Sequence, residues 1–290
     1  MTTTREPVVF LDGRLVPLAD ARISPEDRGF LFADGVYESI RYYPKPGSRG
    51  AGDLFELDRH VQRLRASLGA IRLHSVDLQP LLDSLPTLLE SNELVEGQAS
   101  IYVQVTRGVA PRSHAFPENI RPTVYARARR FELLTDAWRD GVATVTVDDV
   151  RWGRCDVKSI ALLANVLAKD EAKSRGAFEA LFVRDGRVTE GSHTAVAFVV
   201  DGVLRTHPSG THILPSVTRE IVLGLAEELG IATEERAMER SAIEKVDEVF
   251  LMGTTTEVMP VTSIDGRPVG SGTVGPVTRR LQDAYFALHP

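Results

Sequence analysis

Three Asp-Gly pairs, Asp12-Gly13, Asp185-Gly186 and Asp201-Gly202, each separate two apolar runs, and they limit the possible folds more than any other feature of the chain. Such a pair supplies two consecutive residues able to take positive φ, the requirement of a tight turn joining antiparallel strands. The first joins strands over 8–11 and 14–18, and the second joins 179–184 to a strand over 187–200. The third turns that strand back. Hairpins interspersed with helical periodicity predict an α+β fold rather than a doubly wound parallel one.

Further strands are expected over 35–43, 99–107, 142–147 and 247–252. In 35–43, Val36, Glu38, Ile40 and Tyr42 alternate with Tyr37, Ser39, Arg41 and Tyr43. Neither set is purely apolar, which predicts one face turned to a functional cavity. Asp58 reads as the cap of a helix through Gly69, with Val61, Leu64 and Leu68 inward and Arg63 on a neighbouring flank. Another helix is expected over 78–94. A third, over 159–173, would bury Ile160, Leu163 and Leu167. Ser216 caps a fourth that ends near Leu229, with Gly230 just past it. The last runs from Pro276.

The basic stretch 127–132 reads as a linker. It sets a small N-terminal domain at 1–128, a linker at 129–134 and a larger domain at 135–290, in keeping with a length of 290 residues. A composition of 43% hydrophobic and 26% charged residues is that of a globular chain. The formal charge of −6 gives no support for nucleic-acid binding. Cys155 stands alone, which excludes an intramolecular disulfide and a zinc site built on several cysteines. The opening residues lack the apolar core of a secretory leader, and no apolar run reaches the length of a membrane span. A soluble cytoplasmic protein without membrane partners is therefore expected.

Lys158 lies between the expected strand 142–147 and the expected helix from 159, where a lysine can be held and used as an amine nucleophile. Three elements have the chemistry to bind a phosphate. They are the helix start with the Val217 and Thr218 amides, the Gly253-Thr254-Thr255-Thr256 turn, and the Arg63 guanidinium. Each reads equally as a plain cap, a polar turn and a surface arginine. No Walker or Gly-x-Gly-x-x-Gly motif is present, which disfavours a nucleotide. Glu190 can hold a heterocyclic nitrogen protonated, or be an ordinary surface glutamate. His193 has the same ambiguity. Arg112 and His114, in the loop 107–119, suit a carboxylate ligand, or form a solvated charged loop.

Together these residues resemble the class IV aminotransferases, the fold-type-IV pyridoxal 5′-phosphate enzymes, and within them the bacterial D-amino-acid aminotransferases. The resemblance spans nearly the whole chain. It rests on the segment 26–38 with Arg28-Gly29-Phe30, Asp34-Gly35-Val36-Tyr37-Glu38, on Gln104-Val105-Thr106-Arg107-Gly108, and on Pro111-Arg112-Ser113-His114. Arg151-Trp152-Gly153-Arg154-Cys155-Asp156-Val157-Lys158-Ser159, Val166-Leu167-Ala168-Lys169 and Thr189-Glu190-Gly191-Ser192 complete it.

The resemblance implies a two-domain enzyme, with a small N-terminal α/β domain, a larger domain with a barrel-like sheet, and the cofactor at their interface. It makes Lys158 the lysine that bonds to the cofactor and carries the proton. Glu190 becomes the partner of the pyridine nitrogen, with Ser192 and His193 beside it. Arg63, Val217, Thr218, Thr254 and Thr255 form the phosphate cup. Tyr37, Ser39, Tyr102, Arg112 and His114 face the substrate, the last two from the partner subunit of a homodimer. The implied reaction is ping-pong transamination of D-amino acids with a 2-oxo acid such as 2-oxoglutarate or pyruvate.

The chain departs from the family pattern at Ser39-Ile40-Arg41, at His193 and at Ala195, which bears on the side-chain pocket. The alternatives are a branched-chain L-aminotransferase, (R)-amine side activity, aminodeoxychorismate lyase and, outside this chemistry, a non-catalytic module binding a phosphorylated ligand.

Overall fold

In the computed structural model, which describes residues 6–45 and 52–289, all three Asp-Gly pairs turn hairpins with both residues at positive φ. A fourth pair, Asp265-Gly266, does the same and went unread in the sequence. The stretch bearing on a leader begins with residues 1–5, outside the described residues. No described helix is long and apolar enough to cross a membrane.

The chain divides into two compact units: residues 1–132 with 157–161, and residues 133–156 with 162–289. The first comprises β1 (Val8–Leu11), β2 (Arg14–Pro17), α1 (Arg28–Phe32), β3 (Gly35–Pro44), β4 (Gly52–Leu54), α2 (Leu57–Ala70), α3 (Gln79–Ser91), β5 (Ala99–Thr106) and β6 (Thr123–Arg130). Its antiparallel sheet has the order β2-β1-β6-β5-β3-β4. Period-2 alternation puts Val36 and Ile40 of β3 in one core with Ile101 and Val103 of β5, and Leu64 and Leu85 of α2 and α3 pack into it. The opposite set, Tyr37, Ser39, Tyr102 and Gln104, is only half-buried.

Two local expectations differ here. Glu56, in the left-handed conformation at φ 54°, precedes α2, so the helix begins at Leu57 and Asp58 is in its first turn rather than its cap. Strand β6 continues through Arg130, because Ala99 and Ser100 of β5 pair with Arg130 and Arg129; those two residues lie in the sheet rather than in a linker.

The second unit comprises α4 (Thr135–Asp140), β7 (Val142–Asp148), α5 (Leu163–Ser174), β8 (Glu179–Arg184), β9 (Arg187–Gly191), β10 (Ala195–Val200), β11 (Val203–Thr206), α6 (Val217–Glu228), β12 (Thr233–Glu235), β13 (Met238–Glu239), β14 (Glu248–Gly253), β15 (Glu257–Ile264), β16 (Arg267–Pro268) and α7 (Pro276–Phe286). Its mixed sheet follows β12-β11-β10-β14-β15-β7-β8-β9-β13, curled as a half-barrel, with β16 on β15.

The helix expected over 159–173 starts only at Leu163. Its buried residues are Ala168 and Ala172, packed with Val145, Ala180 and Phe182, whereas Leu163 and Leu167 are 72% and 62% exposed. The sequence reading put the large apolar stripe inward; close approach to the sheet selected the small one. The strand expected over 187–200 is broken, because Ser192, His193 and Thr194 leave the ladder to bond the buried Glu179 carboxylate.

Candidate active site

Residues 157–161 do not continue into a helix; they zip onto the start of β3. Val36 bridges Ser159, the Tyr37 amide donates to the Lys158 carbonyl at 2.9 Å, and the Ile160 amide donates to the Gly35 carbonyl at 3.1 Å. The Lys158 amide donates to Ser67 Oγ of α2 at 3.2 Å. Gly35 is required for this approach: a Cβ there would lie 2.7 Å from the Val105 carbonyl oxygen and 3.0 Å from Ile160 Cδ1. Both flanks of Lys158 are thus fixed by backbone bonds, and its Nζ sits 4.2 Å from the centroid of the Tyr37 ring, a cation–π placement.

Behind Tyr37, on the opposite face of β3, Glu38 is 1% exposed. It accepts from Arg63 Nε at 3.0 Å and Nη2 at 2.6 Å, and pairs with His60 Nδ1 at 3.1 Å. Burial opposes ionisation of Glu38. The Arg63 charge, the His60 and Arg63 hydrogen bonds and the Lys158 charge outweigh it, holding the carboxyl well below the ordinary range. Arg63 is therefore anchored by a buried carboxylate.

Tyr37 stacks on Tyr102, with centroids 5.7 Å apart, and Tyr102 faces Ser39 across the β3–β5 ladder. Burial, reinforced by Tyr37, pushes the Tyr102 hydroxyl up to about 12, so it stays a neutral donor, given to Gln104 Oε1 at 2.8 Å. Tyr37, Ser39, Tyr102 and Lys158 are brought together. Arg112 and His114 are not joined to them. Arg112 Cζ lies 5.0 Å over the Phe32 ring and His114 packs on the same ring at 5.4 Å, while Arg28 bonds the Ser113 carbonyl between them. Neither makes a hydrogen bond, ion pair or ring contact with Tyr37 or Lys158 of its own chain.

In the second unit, Glu190 at the end of β9 is buried and ion-paired to Arg151, and its other oxygen accepts from the Leu214 amide at 3.0 Å. Arg151 is itself gripped by Asp149, at 2.9 Å from both Nε and Nη2. The Leu214 bond brings the approach to α6 against Glu190. There Ser216 Oγ caps the helix by accepting from the Arg219 amide at 3.2 Å, with Val217 and Thr218 in the first turn, whose amides have no intrahelical acceptor. Thr194 lies beside the turn that carries Thr254 and Thr255, since a Cβ on Gly253 would stand 3.7 Å from Thr194 Cγ2. His193 Nδ1 pairs with Glu179 at 2.6 Å and Ser192 Oγ bonds the same carboxylate. Burial raises the Glu179 carboxyl, but the hydrogen bond and charge of His193, then Lys169 and Ser192, bring it down to about 2. Cys155 is buried, its Sγ at 3.4 Å from the Trp152 carbonyl, and burial pushes its thiol up.

Sequence reasoning missed Glu38, His60, Ser67, Arg151 and Glu179 as parts of this machinery. His60, Arg63 and Ser67 lie three and four apart on α2, so they share a face, the one available signal. The donor set suits pyridoxal 5′-phosphate. The first unit holds a positioned amine beside an aromatic face and an anchored arginine; the second holds a fixed carboxylate, a capped helix start and a threonine turn.

The family model for amino-transferase class IV matches residues 35–264. A D-alanine aminotransferase of Bacillus licheniformis is 42% identical over 277 residues, covering 95% of each chain. One from Staphylococcus haemolyticus is 39% identical over 279 residues, covering 96% of each. Among solved structures, the branched-chain amino acid aminotransferase of Escherichia coli superposes with a TM-score of 0.89 at 28% identity, covering 98% of this chain and 95% of that one. The branched-chain enzyme of Thermobaculum terrenum in its PLP form gives 0.84 at 26% identity, covering 99% and 94%. The chain belongs to the class IV aminotransferases, a family of pyridoxal 5′-phosphate-dependent transaminases.

Proposed function

We propose that this protein transfers the amino group of D-amino acids to a 2-oxo acid such as 2-oxoglutarate or pyruvate, in two half-reactions. The observation that carries this reading is the Lys158 amine held over Tyr37 by the β3 clamp, in a chain 42% identical to a D-alanine aminotransferase. Pyridoxal 5′-phosphate, when bound, supplies the aldehyde that receives the amino group and the ring that delocalises the Cα electrons.

With the cofactor bound, Lys158 Nζ would hold it at rest and would be the base that accepts the substrate Cα proton and carries it during the transfer. Glu190 holds a proton on the pyridine nitrogen, with Ser192 and His193 fixed beside it by Glu179. Arg63, the Val217 and Thr218 amides, and Thr254 and Thr255 hold the phosphate. Tyr37, Ser39 and Tyr102 face the substrate.

Arg112 and His114 clamp the substrate α-carboxylate from a second copy of the chain. Their seat on Phe32, away from Tyr37 and Lys158 of the same chain, supports this, as does the exposed stripe of Leu163, Val166 and Leu167 on α5. The enzyme is thus a homodimer, and we place it in the cytoplasm. We place the joint between the small N-terminal and the larger C-terminal domain just after β6, at 131–134, two residues shorter than the expected linker 129–134.

The test is a half-reaction of the holoenzyme with D-alanine, L-leucine and (R)-1-phenylethylamine, followed through the cofactor absorbance. D-Alanine should convert the cofactor fastest. Faster conversion by L-leucine would establish the branched-chain alternative to which the structural likeness points. Conversion by the amine alone would remove the role of the carboxylate clamp.

A further inference from the structure

The chemistry proposed for Arg112 and His114 leaves the buried charges packed against their loop unexplained. Residues 111–116 are all exposed and lie outside any helix or strand. Such a stretch has no backbone ladder to fix it, and its conformation comes from side chains that bond its carbonyls. Arg28 and Arg107, only 3% and 2% exposed, hold it. Arg28 Nη1 donates to the Ser113 carbonyl at 2.5 Å and to the Ala115 carbonyl at 3.4 Å, on either side of His114. Arg107 sets its Cζ 3.7 Å from the centroid of the Phe116 ring, and its Nη2 donates to the Ile71 carbonyl at 2.7 Å, just past α2.

Both guanidinium groups are tied to one atom. Asp34 Oδ2 accepts from Arg28 Nε and from Arg107 Nε, each at 2.8 Å. Burial opposes ionisation of Asp34, and the hydrogen bonds and charges of Arg107 and Arg28 outweigh it, holding the carboxyl below its ordinary range. The same anion offsets the repulsion between two cations withdrawn from water. Phe32 completes the arrangement. The Arg28 and Arg112 guanidinium carbons lie 4.8 and 5.0 Å from its ring centroid, and the His114 ring lies at 5.4 Å. Arg28 and Phe32 stand four residues apart on α1, so a single helical turn presents both.

We infer that Asp34 is a positioning residue for recognition of the substrate α-carboxylate: it orients Arg28 and Arg107, which hold the loop, while Phe32 is the platform on which Arg112 and His114 lie. This rests on the reading of those two residues as a clamp supplied to a second copy of the chain. Asp34 then serves the site of the other subunit and touches no substrate itself. Asp34→Asn keeps the size of the side chain and removes its charge. Two buried guanidinium groups lose their shared counter-ion and turn away from the carbonyls beside His114.

The test uses holoenzyme carrying Asp34→Asn, with Phe32→Leu as a second variant that leaves the buried charges in place. Half-reactions with D-alanine give kcat and KM. Propionate, which has the carboxylate without an amine to react, is titrated calorimetrically. In both variants kcat/KM should fall about ten- to a hundredfold, the effect of a misplaced binding group, chiefly through KM, and propionate affinity should fall in parallel. When subunits are mixed and exchange, Asp34→Asn should regain activity with Lys158→Ala, whose chain carries an intact loop. It should gain nothing with Arg112→Ala, whose defect it shares. Gain with Arg112→Ala, or with neither partner while Lys158→Ala and Arg112→Ala complement each other, overturns the inference. So does a loss in kcat with propionate affinity unchanged. If Asp34→Asn fails to fold, as read by urea unfolding, the same mixing and titration of Phe32→Leu decide the outcome. If D-alanine gives no conversion the transaminase reading falls, and if Lys158→Ala and Arg112→Ala fail to complement the second-copy reading falls. In either case the propionate titration still decides whether Asp34 acts through the loop.

Discussion

The backbone around Lys158 is held by β3 and by Ser67 before any ligand arrives, and the residues that hold it are separable from those proposed to do chemistry. Lys158→Ala should lower transamination by at least about 10²- to 10⁴-fold, the usual worth of a positioned proton carrier, as measured by half-reaction kinetics. Glu38 does a different task. Replacing it with Gln leaves Arg63, 10% exposed, without its carboxylate, and breaking a buried pair in this way costs about 3–5 kcal/mol, to be read by urea unfolding. Its pH signature follows from the lowered folded-state value. Glu38 contributes its full stabilisation above the ordinary 4.5, and loses it as pH falls below that value toward the depressed one. Glu179 behaves likewise between 4.5 and about 2, so Glu179→Gln should flatten the acid limb of the stability profile, and an unchanged limb would remove Glu179 from it. None of this network was legible in sequence, because Glu38 and Glu179 read as ordinary members of alternating strands until their partners arrive from α2 and from the 192–194 turn.

Among the elements, α6 came through as its local chemistry specified, whereas the cap expected at Asp58 did not. Ser216 caps α6 as its type and position predict, and Gly230 stands past its end at φ 68°. Ser216→Ala should cost about 1 kcal/mol in thermal or chemical unfolding, with a further loss of cofactor affinity if the helix start holds the phosphate. Leu85 in α3 is fully buried, and Leu85→Ala should cost about 2–5 kcal/mol. Helix α5 is the instructive failure. Its apolar residues follow helical spacing on two faces, and spacing alone does not say which faces the sheet. The small residues Ala168 and Ala172 allow the closer approach, which leaves Leu163, Val166 and Leu167 outward.

Over the whole molecule, the proposed supply of the α-carboxylate clamp by a second copy makes activity a property of the subunit pair. If Arg112 and His114 act on the other copy's site, Lys158→Ala and Arg112→Ala variants, each impaired alone, should regain activity when mixed and allowed to exchange subunits. Statistical reassortment makes roughly a quarter of the sites intact. No gain on mixing would place the clamp within one chain. The exposed α5 stripe should also disappear from solvent on dimer formation, so Leu167→Glu should shift the protein toward monomer in size-exclusion chromatography.

By itself, the sequence determined what short-range rules govern: the Asp-Gly hairpins, the α6 cap, the strand periods, and a set of motif residues specific enough to name the family. Only the tertiary structure decided which side chains meet. The segment 157–161 pairs with β3 because Gly35 leaves room for it, and that bond pattern overrides the helical pattern that follows Lys158. The Glu38–His60–Arg63 cluster and the Glu179 turn each join residues from different elements. Their energy comes from burial and complementary charge after the strands have paired, a quantity that no local stretch of sequence carries.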